Sequence, residues 1–174
     1  LRSRATVCQG CATGCHSFTD YDPRNQQVYR VRPRTNLEVN RYWMCDQGML
    51  DFRRLTGERL SEARIAQRAV RYEEGLERAV EELCRVEPSR LAVVLGAEHS
   101  LEDNQALLWL ARRLNVLAFF ESGRPEQEAD GVLMVADRNA NSRGVRELLE
   151  GEPGQMRDLE EGLVQGRFTH VLCL

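Results

Sequence analysis

Apolar positions in the second two thirds of the chain come in short continuous runs rather than in alternation. "LAVVLG" (91–96) is one such run closed by glycine, the pattern of a strand covered on both faces. "VLAFF" (116–120), "VLMVA" (132–136) and "HVLCL" (170–174) predict three more strands. Between the first two, Ser100-Leu101-Glu102-Asp103 resembles a capping box with Ser100 as N-cap. The helix it opens carries Leu101, Leu107, Leu108, Ala111 and Leu114. "SRGVRELLEG" (142–151) and "QMRDLEEGLVQG" (155–166) predict two short helices, each with a glycine near its end. Over 61–86, Ile65, Ala69, Tyr72, Leu76, Ala79, Val80 and Leu83 follow one helical stripe that Gly75 interrupts. A helix from about Glu74 to Arg85, preceded by an irregular or extended piece, is expected there. Strands alternating with helices predict a mainly parallel α/β sheet.

Residues 1–57 lack these runs and are rich in turn signals. "FTDYDPRNQQVYRVRPR" (18–34) predicts two short strands around a turn at Asp22-Pro23-Arg24-Asn25. Val28, Tyr29 and Val31 supply the return strand, and Pro33 ends it. A segment this poor in core residues needs a staple. The division expected is therefore a small turn-rich β module at 1–57 and an α/β part at 58–174.

Charge follows the same division. All 24 basic residues are arginine. Residues 1–57 hold nine of them against five acidic residues, a balance of +4, while 58–174 carries −7. Such asymmetry points to different partners for the two parts. Nucleic acid is not expected among them, because few aromatics interleave with the arginines and no recognisable module is present. No apolar run approaches the eighteen residues of a membrane span, and no apolar stretch follows Arg2 and Arg4 as in a signal peptide. The start at Leu1 and the end inside a predicted strand suggest a piece of a longer polypeptide.

Cysteines stand at 8, 11, 15, 45, 84 and 173. In a chain without a secretion signal, disulfides are the weakest explanation. Structural zinc usually takes two separate C-x2-C knuckles around one ion. Here a C-x2-C-x3-C loop and one remote cysteine, Cys45, suit a body with four metal corners, as in a [4Fe–4S] cubane bound by one thiolate per iron. Gly10 and Gly14 each precede a cysteine, where backbone must approach closely. Arg24, Arg30, Arg32, Arg34 and Arg41 would offset part of the cluster's negative charge. Spacing favours the cubane and leaves zinc open as a substitute. His16 is read as a loop residue or a donor to a ligand rather than a ligand, and Cys84 and Cys173 as small core hydrophobes.

"TVCQGCATGC", followed by "VNRYWMCDQG" (39–48), resembles the iron–sulfur module that opens the molybdopterin oxidoreductase superfamily. Within it, the chain looks like the large iron–sulfur (G) subunits of bacterial NADH–quinone oxidoreductase, respiratory complex I. "ADRNANSRGV" (136–145) resembles the superfamily's Asn-x-Asn-x-x-Gly turn. The resemblance implies a [4Fe–4S] cluster on Cys8, Cys11, Cys15 and Cys45, followed by part of an α/β domain of the molybdopterin-oxidoreductase type. It implies electron carriage within a multisubunit oxidoreductase, with other subunits as partners, on the inner face of the cytoplasmic membrane and without insertion into it. Flavin and nucleotide sites would lie on another subunit, so this chain alone would not oxidise NADH. In the superfamily's pterin enzymes, such as formate dehydrogenases, a lysine follows the fourth cysteine; Gln47 stands there, which argues against a pterin. Residues 137–144 would approach the pterin nucleotide in those enzymes. Here they read as a strand-to-helix turn with Asn141 or Ser142 as cap. A pterin-dependent oxidoreductase and a non-redox zinc or structural module remain the alternatives.

Overall fold

The computed structural model describes residues 1–55, 60–150 and 154–174. It is a mixed α/β chain with small antiparallel sheets and one parallel sheet. The boundary expected at 57/58 and the glycine at 151 lie outside the described residues.

Three strands, β1 (Arg2–Val7), β2 (His16–Tyr21) and β3 (Val28–Pro33), form an antiparallel sheet in that order. The predicted pair is β2 and β3; β1 was not legible because all six of its residues are exposed and none marks a buried face. Polar side chains hold it instead. Thr6 Oγ1 lies 3.0 Å from both Ser17 Oγ and Thr19 Oγ1, and Ser3 Oγ donates to Asp20 at 2.5 Å. Asp20 is buried in the middle strand and also accepts from Arg30 (2.7 Å) and Arg32 (3.1 Å) on β3. One carboxylate thus ties all three strands. Helices α1 (Asp46–Leu50) and α2 (Phe52–Leu55) lie against β3.

The ambiguous stretch resolves into a hairpin, β4 (Ala63–Ile65) and β5 (Arg68–Val70), followed by α3 (Tyr72–Arg85). Ile65 and Ala69 therefore belong to the extended piece, not to the helical stripe. Cys84 on α3 is exposed, contrary to its reading as a core residue.

The parallel sheet has the order β7-β6-β8, from β6 (Leu91–Gly96), β7 (Leu117–Glu121) and β8 (His170–Cys173). Central β6 is covered on both faces, as its unbroken apolar run predicts. Val93 and Leu95 pack with Leu107, Leu108 and Ala111 of α4 (Leu101–Leu114) and with Val145 of α5 (Ser142–Leu149). Ala92 faces the other way, with Phe119, Phe168 and Leu159 of α6 (Met156–Val164). Ser100 caps α4 as expected, its Oγ accepting from the Asp103 amide at 3.0 Å. Asn104, fully buried on that helix, clasps the end of β6: its side chain exchanges hydrogen bonds with both Gly96 N and Gly96 O. Edge strand β8 leaves Cys173 exposed, so the core reading of that cysteine also fails.

The strand expected at 132–136 does not form. The Asp130 carboxylate accepts from the amides of Val132, Leu133 and Met134 at 2.8–2.9 Å. Those donors are then spent locally rather than on a neighbouring strand. The segment is a loop, and it reaches the cysteines.

Hydrogen bonds from Ser3, Arg30 and Arg32 outweigh burial and hold the Asp20 carboxyl below the usual carboxylate range. Its contribution is complete above the ordinary value, about 3.9, and is lost as pH falls below it. Asp20→Asn should cost about 1–3 kcal/mol in urea denaturation at pH 7. The gap to the parent should close as pH is lowered below about 4.

Candidate metal centre

The loop Cys8–Cys15 joins β1 to β2, and the hairpin register pairing Val7 with His16 brings its ends together. Cys8 N donates to Cys15 O at 2.8 Å and closes it. Gly14, with φ of +64°, makes the turn just before Cys15. Cys45 is the N-cap of α1, its Sγ accepting from Gly48 N at 3.3 Å.

Asn40 sets where Cys45 arrives. This buried side chain accepts from His16 N at 3.0 Å and donates to Trp43 O at 2.9 Å, with longer contacts to the carbonyls of Arg34 and His16. It fastens the segment before Cys45 to the start of β2. His16 turns its ring to Arg34 and Asn36, with Nδ1 2.8 Å from the Arg34 guanidinium. It is not among the cavity-lining residues.

All four predicted cysteines, Cys8, Cys11, Cys15 and Cys45, line one cavity. Met44, Gln47 and Gly48 share the wall, and Leu133 and Met134 come from the α/β side. The cavity is small, about 10 Å³, the room of roughly one water. Gly48 sits close to the thiols: a Cβ there would stand 2.9 Å from Met44 Cε and 3.0 Å from Cys8 Sγ, so both would have to shift. Gly10 N donates to Cys8 Sγ at 3.3 Å, a second amide–sulfur contact. Among the described residues, no group of three or more His, Cys, Asp or Glu is placed to hold a metal ion. The thiols converge on a cavity, not on one point.

Burial, with the neighbouring Cys8, Cys11 and Cys45, pushes the Cys15 thiol up to about 11. Cys8 is raised too, chiefly by burial and against the Gly10 amide, with Cys45, Cys11 and Asp51 adding to it. These two sulfurs resist ionising without a cation between them.

The α/β side closes the site through contacts that sequence reasoning missed. Thr13 Oγ1 donates to Leu133 O at 2.6 Å, Ala12 N to Asp137 O at 3.0 Å, and Arg124 to the carbonyls of Gln9 and Gly10 at 2.7 and 3.3 Å. Burial works to raise the Asp137 carboxyl, but hydrogen bonds from Asn139 and Ser142 outweigh it and lower its pKa. Asn141 does stand at the N-cap of α5, yet its side chain makes no cap and donates to His99 O instead. The apolar run 132–136 was the only signal of this wall, and it pointed to a strand.

Beside the thiols, an open groove of about 690 Å³ runs between the cysteine loop and the turn after β6. Asp51, Glu98 and Glu102 line it together with His99 and Asn141.

The chain is similar to G subunits of NADH-quinone oxidoreductases. It is 31% identical to that of Streptomyces coelicolor over 118 residues, 64% of this chain and 14% of the relative. Against that of Pseudomonas putida it is 28% identical over 138 residues, 79% of this chain and 14% of the relative. The chain thus spans about one seventh of the length of these curated relatives, and the likeness is distant. No protein-family model matches it.

Asn40→Ala removes the clasp and leaves His16 N and Trp43 O unpaired. It should cost about 1–3 kcal/mol and speed alkylation of Cys45 relative to Cys84 and Cys173, read by mass spectrometry. An unchanged Cys45 rate would show that Asn40 does not position it.

Proposed function

We propose that residues 1–57 form a [4Fe–4S] module ligated by Cys8, Cys11, Cys15 and Cys45. Residues 58–174 would be part of an α/β domain of the molybdopterin-oxidoreductase type. The whole would serve as an electron-transfer or structural segment of the large peripheral-arm subunit of a respiratory NADH–quinone oxidoreductase. The observation that carries this reading is the convergence of those four thiols on one cavity, with two backbone amides directed at sulfur.

The donor set fits the group. Four sulfurs surround the site, and two backbone amides are directed at sulfur. At about 10 Å³ the space takes four irons only if the thiols and the Leu133–Met134 wall move outward. Bound there, such a cluster supplies one-electron transfer. The residues around it would control that chemistry. Gly10 N and Gly48 N stabilise sulfur charge, and Met44, Leu133 and Met134 keep water from it. No side chain is assigned as acid, base or nucleophile, so this segment by itself would carry electrons without oxidising NADH.

Partners would be the other subunits of the complex, and the location peripheral on the inner face of the cytoplasmic membrane. Among the described residues, no helix is long and apolar enough to cross a membrane. A pterin enzyme fits less well. Gln47 lines the thiol cavity, at the position where those enzymes carry a lysine. Zinc would satisfy the thiols but wants them gathered on one tetrahedron.

Anaerobic purification with iron, sulfide and zinc quantitation tests this. About four irons and four sulfides per chain, with a dithionite-reduced EPR signal lost in Cys45→Ala, is the expected result. One zinc without sulfide would make the module structural.

A further inference from the structure

Arg124 lies 109 positions or more from every proposed ligand of the cysteine loop in sequence, yet its guanidinium spans two successive carbonyls of that loop. The nearer, Gln9 O at 2.7 Å, belongs to the same peptide group as Gly10 N. That N–H donates to Cys8 Sγ at 3.3 Å. One peptide group therefore accepts from a cation at its oxygen and donates to a cysteine sulfur at its nitrogen. A charge-assisted bond to the oxygen draws electron density from the amide and makes its N–H the better donor.

Arg124 is held for this task from both ends. Its backbone is locked by reciprocal bonds with the buried Asn139, N to Oδ1 and Nδ2 to O, both 2.8 Å. Its Nε lies 2.6 Å from Glu98 Oε1, an ion pair without hydrogen-bond alignment. Glu98 sits on the turn after β6, so the cation is anchored to the parallel sheet and its charge is partly balanced there.

We propose that Arg124 is a positioning residue of the metal centre, acting through the Gln9–Gly10 peptide to strengthen the N–H···S bond at Cys8, with Glu98 setting how much of its charge reaches the sulfur. The inference rests on the reading of Cys8 as a cluster thiolate. Reduction adds negative charge to a cluster, so a stronger donor and a nearer cation both favour the reduced form. Arg124→Gln removes the cation, whereas Glu98→Gln releases it from its counter-ion. The two variants should move the reduction potential in opposite directions.

Two measurements on the full chain test this separately from the cluster assignment. The first is hydrogen exchange of the Gly10 amide in the metal-free protein. Arg124→Gln should speed it severalfold relative to amides of β6, and an unchanged rate would overturn the proposal whatever the metal. The second is an EPR-monitored redox titration of the iron-loaded chain. The reduced-to-oxidised ratio at fixed potential should fall in Arg124→Gln by up to about tenfold, 59 mV for one electron, rise in Glu98→Gln, and largely recover in Arg124→Lys. Shifts of the same sign in the first two variants, or none, would overturn it. A chain that binds no iron would sink the cluster reading, while the exchange result would still decide whether Arg124 acts on the Gly10 amide.

Discussion

Four sulfurs facing one small cavity constrain everything built around them. Burial and mutual repulsion raise the thiol pKa values at Cys8 and Cys15, so charge at this site is costly unless it is shared with a cation or with donors aimed at sulfur. Such donors must be held rigidly, because an amide that drifts leaves a buried sulfur without its partner. The surroundings meet that demand with backbone rather than with charged side chains. Gly10 and Gly48 bring N–H groups within 3.3 Å of sulfur, and a Cβ at Gly48 would crowd Cys8 Sγ at 3.0 Å.

Polar clasps, not apolar packing, keep the cysteine region in shape. Asp20 ties the three antiparallel strands, Asn40 docks the approach to Cys45, and Arg124 fastens the cysteine loop to the α/β side. Among the described residues, the buried apolar clusters lie on β6 and its neighbours, where they pack on both faces of the sheet. Of the three clasps, Arg124 is the one that joins the turn after β6 to the cysteine loop. A network of this kind is costly to break, since each clasp satisfies several buried groups at once.

Much of this arrangement was legible beforehand, for identifiable reasons. The unbroken run at 91–96 required cover on both sides, and Ser100 with Asp103 marked a helix start that forms as expected. Both signals are local and need no partner to be read. Strand β1 escaped because its residues are all exposed and its bonds are made by hydroxyls and arginines. The run at 132–136 misled because Asp130 captured the amides that a strand would have offered to a neighbour. Cys84 and Cys173 look apolar by type but lie on exposed positions of α3 and edge strand β8.

By itself, then, the sequence determined that Cys8, Cys11 and Cys15 share one loop, since their spacing is short enough for one loop to present them. It also determined the central strand of the sheet and the capped helix after it, whose signals lie within a few residues. Only the tertiary structure decided how Cys45 reaches the same cavity, what walls it off, and that Arg124 touches the peptide whose N–H faces Cys8. Those contacts join segments up to 120 positions apart. Their partners are backbone carbonyls and amides, which every residue carries alike, so no side-chain pattern along the chain can announce them.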